Sequence, residues 1–421
     1  MSASATTPAF TQKTILQHKP FRILWMAQFV SIFGDFLALF GVISLITFKL
    51  HGTAVQVTSV TIAYVLPLAV LSPVAGVFVD HWNVKRVMII SDVVRAVLIL
   101  MLLFVTDVRQ ICAIFFAISA VSSFFSPAQS VTLRVLVPAE GLLAANGLMT
   151  NAFFVVRLAS PLVAGSVIST LGEKACFYLD TASFAFSAIM ISTLAIVRPA
   201  RADGEKTLAS LTRDFLDGNK FIFTHAGLSF VFLAMAVATF VLSSFSPLIS
   251  IFIRDMLHAG PFTFGVCSSM VGIGLIMGGM VLPRVSRTVS RVNVVLSGLF
   301  VLGAGAALLG GFSNIPMAAA SMFLVGFAIA FVLIPAQTMS QQETPPTMVA
   351  RVSGSFMSLM WIGQVMGLLI SGFLAQKLGI RPLFLASAGA MALVTAAGYF
   401  MMRGRSHLAQ TATERASAAL D

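Results

Sequence analysis

Charge is what this sequence has least of. Asp, Glu, Lys and Arg make up 10% of its 421 residues, against roughly a quarter in a soluble domain. With 58% of residues hydrophobic, the chain has too little polar surface to cover itself in water. Cysteine is scarce too: Cys112, Cys176 and Cys267 are scattered and odd in number, which excludes a disulfide framework and a cysteine metal site. The six histidines, His18, His51, His81, His225, His258 and His407, fall in loops or at the ends of apolar runs. None pairs with a nucleophile or a metal-binding cluster, so neither enzymatic chemistry nor a cofactor is expected. The net charge of +11 is not gathered into a basic domain, so nucleic acid is not an expected partner.

What is present is apolar sequence in long runs, and a membrane span needs about 20 such residues. Runs lie near 23–48, 54–79, 87–106, 111–133, 143–171 and 175–197, then, after a polar segment, near 227–253, 262–283, 292–312, 316–340, 347–376 and 382–402. These predict an all-α membrane protein of about twelve spans. Residues 1–20 are polar and the first run is too long for a signal-peptide core, so it is expected to remain as span 1. With an even number of spans both termini share a side, and 18 of the 26 Lys and Arg fall there. Six fall on the other side, and Arg95 and Arg157 lie inside spans. Basic loops stay in the cytoplasm, so the expected location is the inner, cytoplasmic membrane with both ends inside.

The chain also echoes itself. Ser126-Pro127-Ala128-Gln129-Ser130 in span 4 returns as Ile334-Pro335-Ala336-Gln337-Thr338 in span 10, and Leu171-Gly172 returns as Leu378-Gly379. Two matches in register at half the chain length indicate two parallel six-helix halves, an architecture of secondary transporters. The expected organisation is a tail at 1–22, a bundle at 23–197, a linker at 198–226, a second bundle at 227–402 and a tail at 403–421. Leu208, Leu211 and Phe215 share a helical face in the linker, which suits an amphipathic helix on the cytoplasmic membrane surface; a simple solvated linker is the alternative.

The loop after span 2 runs from Gly76 through Asp80, His81, Trp82, Asn83 and Val84 to Lys85 and Arg86. It resembles the signature loop of major facilitators, G-x-x-x-D-(R/K)-x-G-(R/K)-(R/K)-(R/K). Gly76, Asp80, Lys85 and Arg86 match; His81, Asn83 and Val84 depart, although Asn83 would tolerate the left-handed turn of the family's glycine. The resemblance implies a gating latch at Asp80; a plain helix-end cap is the alternative. Span 5 carries a reduced form of the antiporter motif, with Gly147, Pro161 and Gly165 in place and Val156, Ser160 and Ala164 as substitutes. Small residues and a bend also serve helix packing alone. Gly274 with Gly278, and Gly363 with Gly367, are read as packing positions.

The stretch from Phe21 to Asp35, with Gln28 and Gly34, together with Phe125–Gln129 and Leu143–Leu148, resembles the macrolide-efflux and enterobactin-exporter branch of drug:proton antiporters. That implies a monomeric, proton-coupled exporter of amphipathic small molecules working by alternating access. Bacterial lysophospholipid transporters share a similar Gly-Asp and Ala-Asn-Gly-Leu element, so a lipid facilitator remains open, as does a non-transporting sensor or interaction protein.

Asp35, Asp92, Arg95, Arg157 and Asp180 fall inside spans, where a charge costs at least about 2.5–3.5 kcal/mol and needs a partner or a function. Asp35 lies near mid-span and is the expected proton carrier, with Asp180 as its alternate; a permanent ion pair holding helices together is the other reading of Asp35. Arg157, equally central, is expected to be either its partner or the counter-charge of an anionic cargo. Asp92 and Arg95, at i,i+3, are expected to pair. The second half offers Gln337, Gln364, Met360 and Trp361, which with Gln28 and Gln129 are the candidate cavity polar and adaptable groups.

Overall fold

The structure, a computed structural model, describes residues 12–79, 81–196, 219–224, 226–345 and 348–417. Among them are twelve helices long and apolar enough to cross a membrane. They are α1 (Lys19–Ser44), α2 (Ala54–Val79), α3 (Val84–Met101), α4 (Val108–Leu136), α5 (Leu142–Leu171), α6 (Glu173–Ser192), α7 (Ala226–Asp255), α8 (Pro261–Val285), α9 (Arg291–Gly311), α10 (Ile315–Glu343), α11 (Val349–Leu378) and α12 (Ile380–Ser417). No strand occurs among the described residues. A helix closes its own backbone hydrogen bonds, which is what hydrocarbon demands. Side chains start several of them: Asn83 Oδ1 accepts from the Arg86 amide at 3.1 Å, Asp107 from Arg109 at 2.9 Å and Asn314 from Met317 at 2.9 Å, each satisfying an amide that the helix leaves unpaired.

The repeat is visible helix by helix. α4 and α10 are each 29 residues long and carry Pro127 and Pro335 one position apart. α5 and α11 are each 30 residues and end at Gly172 and Gly379, with φ of 80° and 88°. That region favours glycine, so both halves close their fifth helix with the same backbone device.

Contacts divide the chain into two compact units, Met1–Arg213 with Pro247–Ser269, and Asp214–Ser246 with Met270–Asp421. The end of α7, the start of α8 and their connection thus group with α1–α6 rather than with the rest of the second half. In the first unit α1 packs on α5 and α6, α3 on α4 and α6, and α2 on α4. Where Pro67 interrupts α2, Ser123 of α4 donates to the Pro67 carbonyl at 3.2 Å and Ser119 donates to the Tyr64 carbonyl. The short helix Gln12–Gln17 lies against α1 and α5, with Ile15 fully buried.

The second unit is built on glycine contacts. A Cβ at Gly278 would stand 2.8 Å from Ala330 of α10, and one at Gly363 would stand 3.2 Å from the Ala236 carbonyl of α7. Gly274 meets the backbone of Phe323 and Gly367 that of Phe240, so both spaced pairs serve close helix approach. Phe245 and Phe384 stack at 5.0 Å. The linker positions Leu208, Leu211 and Phe215 lie outside the described residues, as does Asp80.

Candidate functional site

Helix packing in the first unit gathers charge that the sequence scatters over three spans. α6 is the least apolar of the twelve helices because it carries Asp180, Ser183 and Ser187 on the face turned inward. Gly34 of α1 makes room for that face: a Cβ there would coincide with Ser183 Oγ and Asp180 Oδ1, and would stand 2.8 Å from Ser183 Cβ. Asp180 is thereby set beside Asp35. α3 packs on α6 and brings Asp92 and Arg95 to the same place.

Arg95 is the hub. It is ion-paired with Asp92, one turn earlier on α3, and its Nη1 lies 3.7 Å from Asp35 Oδ2. Its Nε also donates to the Ser91 carbonyl at 3.4 Å. The guanidinium carbon lies over the rings of Phe125 at 4.6 Å and Phe184 at 4.3 Å, aromatic contacts that stabilise a desolvated cation. Asp180 accepts from Ser183 Oγ at 3.1 Å. Asp92 Oδ2, Asp180 Oδ2 and Gln28 Nε2 are buried with no hydrogen-bond partner. Two carboxyl groups thus pair with one guanidinium, and a third, Asp180, lies close by on α6 against Ser183 and Gly34. Asp92 and Asp180 are fully buried, and Asp35 alone retains partial access.

The pairing corrects one expectation. Asp35 finds its counter-charge in Arg95, not in Arg157. Arg157 projects from α5 onto an exposed face and forms no ion pair among the described residues. Asp92 and Arg95 do pair, but as part of a four-residue cluster rather than as an isolated couple.

The signature loop also departs from expectation in detail. Asn83 has φ −72° and ψ 104°, an extended conformation and not a left-handed one, because its work is to cap α3. Lys85 Nζ donates to the Ser192 carbonyl at 2.6 Å, where the C-terminal end of α6 favours a cation. A Cβ at Gly76 would meet nothing within 4 Å, so packing does not demand glycine there. The side chains of Arg86, Trp82 and Phe124 border a surface groove of about 600 Å³ between the start of α3 and α4.

Of the span 5 motif, Gly165 is a contact point: a Cβ there would stand 2.9 Å from the Pro261 carbonyl and 3.0 Å from Gly265 Cα. Gly147 is not, since its nearest neighbour would be Gln12 Nε2 at 3.5 Å. Gln129 donates weakly to Met149 Sδ at 3.9 Å. Gln337 is exposed on α10, and Met360, Trp361 and Gln364 are half-buried on α11.

Sequence reasoning missed a clasp at the other end of the unit. α1 ends in a π-helical turn, Leu45–Lys49, a feature frequent at functional positions. Arg254 Nη1 donates to the carbonyls of Thr47 at 2.7 Å and Gly52 at 2.9 Å, and Thr47 and Ser250 hydroxyls meet at 2.9 Å. Asp255 holds the guanidinium by two bonds, 2.6 and 3.0 Å. Only the basic residue in a short loop was available as a signal.

Comparison with known proteins places these features in a lineage. The sequence matches the profile of the Major Facilitator Superfamily over residues 24–361 and 231–420. It is 27% identical over 370 residues to an uncharacterized MFS-type transporter, YfiS, of Bacillus subtilis (strain 168), covering 86% of this chain and 88% of that one. It is 25% identical over 379 residues to macrolide efflux protein A of Streptococcus pyogenes, covering 87% and 92%. The multidrug efflux pump Tap of Mycolicibacterium fortuitum is 25% identical over 368 residues, with 84% and 89% covered. Among solved structures, the nucleoside transporter NupG superposes with a TM-score of 0.74 at 16% identity, over 91% of this chain and 99% of that one, a likeness of fold.

Proposed function

This chain belongs to the Major Facilitator Superfamily, a family of membrane transporters and not of enzymes, and we propose that it is a proton-coupled exporter of amphipathic small molecules. It would act as a monomer in the inner, cytoplasmic membrane with both termini inside, by alternating access. Export is supported by similarity to proteins named for macrolide and multidrug efflux. Proton coupling rests on one observation: three carboxyl groups, Asp35 and Asp92 ion-paired with Arg95 and Asp180 close by, are gathered around a single cation inside an apolar bundle.

An uncompensated charge in that setting costs at least about 2.5–3.5 kcal/mol. Charge balance with a single cation therefore leaves two of the three carboxyl groups as proton carriers. Asp35 is the member with access, so it is assigned the exchange of protons with water. Asp92 holds Arg95 in place, and Asp180 is assigned the second proton. Gly76, Asp80, Lys85 and Arg86 are assigned the gate; wild-type flux in Asp80→Asn would reduce that aspartate to a helix cap.

The test is efflux of a panel of amphipathic compounds from cells or proteoliposomes, with and without an uncoupler. Uphill, uncoupler-sensitive efflux is expected. Flux indifferent to the proton gradient would overturn the coupling and favour a lipid-type facilitator, and no flux of any compound would favour a sensor.

A further inference from the structure

Arg157 is the buried-span charge that the proton-carrying cluster does not use. It lies at the middle of α5, and Arg95 has taken the place beside Asp35. The stripe on which it sits shows what it looks at. Four residues earlier on the same face, Phe153 meets Phe36 of α1, with ring centroids 6.0 Å apart. Four residues later, the Pro161 carbonyl lies against Gly265 of α8. A residue between two such contacts is held toward protein at both ends of its stripe, not toward lipid, yet its side chain is exposed. Arg157 therefore reaches accessible space beside a stripe that is in protein contact on either side of it.

The surroundings of that space are aromatic. α1 carries Phe33, Phe36 and Phe40 on one face at helical spacing. Phe36 reaches Phe153 of α5, and Phe40 reaches Phe264 of α8 at 5.0 Å. No acidic side chain is ion-paired with Arg157 among the described residues, and a guanidinium deep in a bilayer without a counter-charge is expensive. Its planar fork matches a carboxylate or phosphate in two parallel hydrogen bonds.

We infer that Arg157 is a substrate-binding residue and that the cargo is an anionic amphiphile, a carboxylate or phosphate monoester on a flat or fused apolar body. The anionic group would pair with Arg157 while the apolar body packs against Phe36, Phe40 and Phe153. This rests on the transport reading but is separable from it, because binding to Arg157 needs no proton gradient.

The experiment measures binding to the purified full-length protein in lipid nanodiscs, by thermal shift with a thiol-reactive dye that reports exposure of the buried Cys176 and Cys267. The probes are cholate, 1-naphthaleneacetate and dodecyl phosphate, each beside its uncharged ester or alcohol. At least one acid is expected to bind the wild type at least about tenfold more tightly than its neutral partner, as charge-assisted hydrogen bonds allow. Arg157→Gln is expected to erase that preference with its melting temperature intact, and Arg157→Lys, which keeps the charge but not the planar fork, to retain part of it. The carboxylate and phosphate arms show which head group is preferred. Equal binding of acid and neutral probes, or a preference that survives Arg157→Gln, overturns the assignment. Uncoupler-sensitive efflux of cationic or neutral compounds alongside that result would leave the exporter reading standing, so the two fail separately.

Discussion

Arg95 of α3 and Asp35 of α1 form an ion pair of 3.7 Å whose two members differ in access: the arginine side chain is 4% exposed and the aspartate 20%. A fixed cation beside an accessible carboxylate is an arrangement in which protonation of one group releases the other. In the mechanism proposed above, that release is the coupling event, because the Asp35 proton and the Arg95 pair compete for the same oxygen atoms.

Asp35→Asn keeps the size of the side chain and cannot titrate. Uphill efflux is expected to fall to background, while downhill exchange of the same compound persists. The measurement is efflux against external pH in proteoliposomes; the wild-type rate should vary with pH and the residual exchange of the variant should not. An Asp35→Asn protein that still pumps uphill with the wild-type profile moves the coupling site to Asp180.

Arg95→Gln removes the cation shared by the cluster and leaves Asp92 and Asp180 buried without it. Breaking a buried pair in this way destabilises by about 3–5 kcal/mol, so a lower melting temperature in nanodiscs is expected. Arg95→Lys should recover only part of the loss, since an ammonium does not reproduce a planar guanidinium over the rings of Phe125 and Phe184. A lysine variant equal to wild type in stability and flux would remove the aromatic contacts from the explanation.

Gly34→Ala places a methyl group on Ser183 and Asp180. Overpacking of this kind costs about 1–3 kcal/mol, and the displaced α6 would carry Asp180 away from Asp35. The double variant Gly34→Ala with Ser183→Gly is expected to regain part of the stability, because the obstructing Cβ and Oγ are gone while Asp180 Oδ1 stays in the way. Additive losses in the double variant would show that the contact is not the cause.

Arg254→Gln takes the guanidinium from the carbonyls of Thr47 and Gly52, an interaction worth about 1.5–3 kcal/mol. With the clasp weakened, states in which this end is open gain population. A cysteine placed at Ser250, in a background lacking the three native cysteines, should react several-fold faster with a membrane-impermeant thiol reagent. An unchanged labelling rate would make the clasp a local brace.

Much of this was legible in the sequence because hydropathy reports depth. Span number, the half-length repeat and the five charges inside spans all follow from position along the chain. What stayed hidden depends on rotation about each helix axis. Asp35 and Arg157 are equally central by residue count, but Gly34 and Ser183 set the approach of α1 to α6, and that turns Asp35 toward α3 and Arg95. Nothing along one span announces a neighbour's azimuth. Asn83 shows a second limit: resemblance pointed to the glycine that usually occupies the position, whereas the side chain present earns a different backbone by capping α3. The clasp of Arg254 on carbonyl oxygens left no trace, since every residue offers a carbonyl.

The rings of Phe125 and Phe184 against Arg95 carry one more consequence. A protein standing across an energised membrane with titratable groups at its centre is one hydrated gap away from short-circuiting the gradient it lives on. In the proposed mechanism, the two aromatic faces packed on the guanidinium would narrow the path that water could take past it. In that mechanism they would serve as electrical insulation, and trimming either ring to alanine should turn a coupled pump toward a proton leak, seen as faster acidification of vesicles in the absence of any cargo.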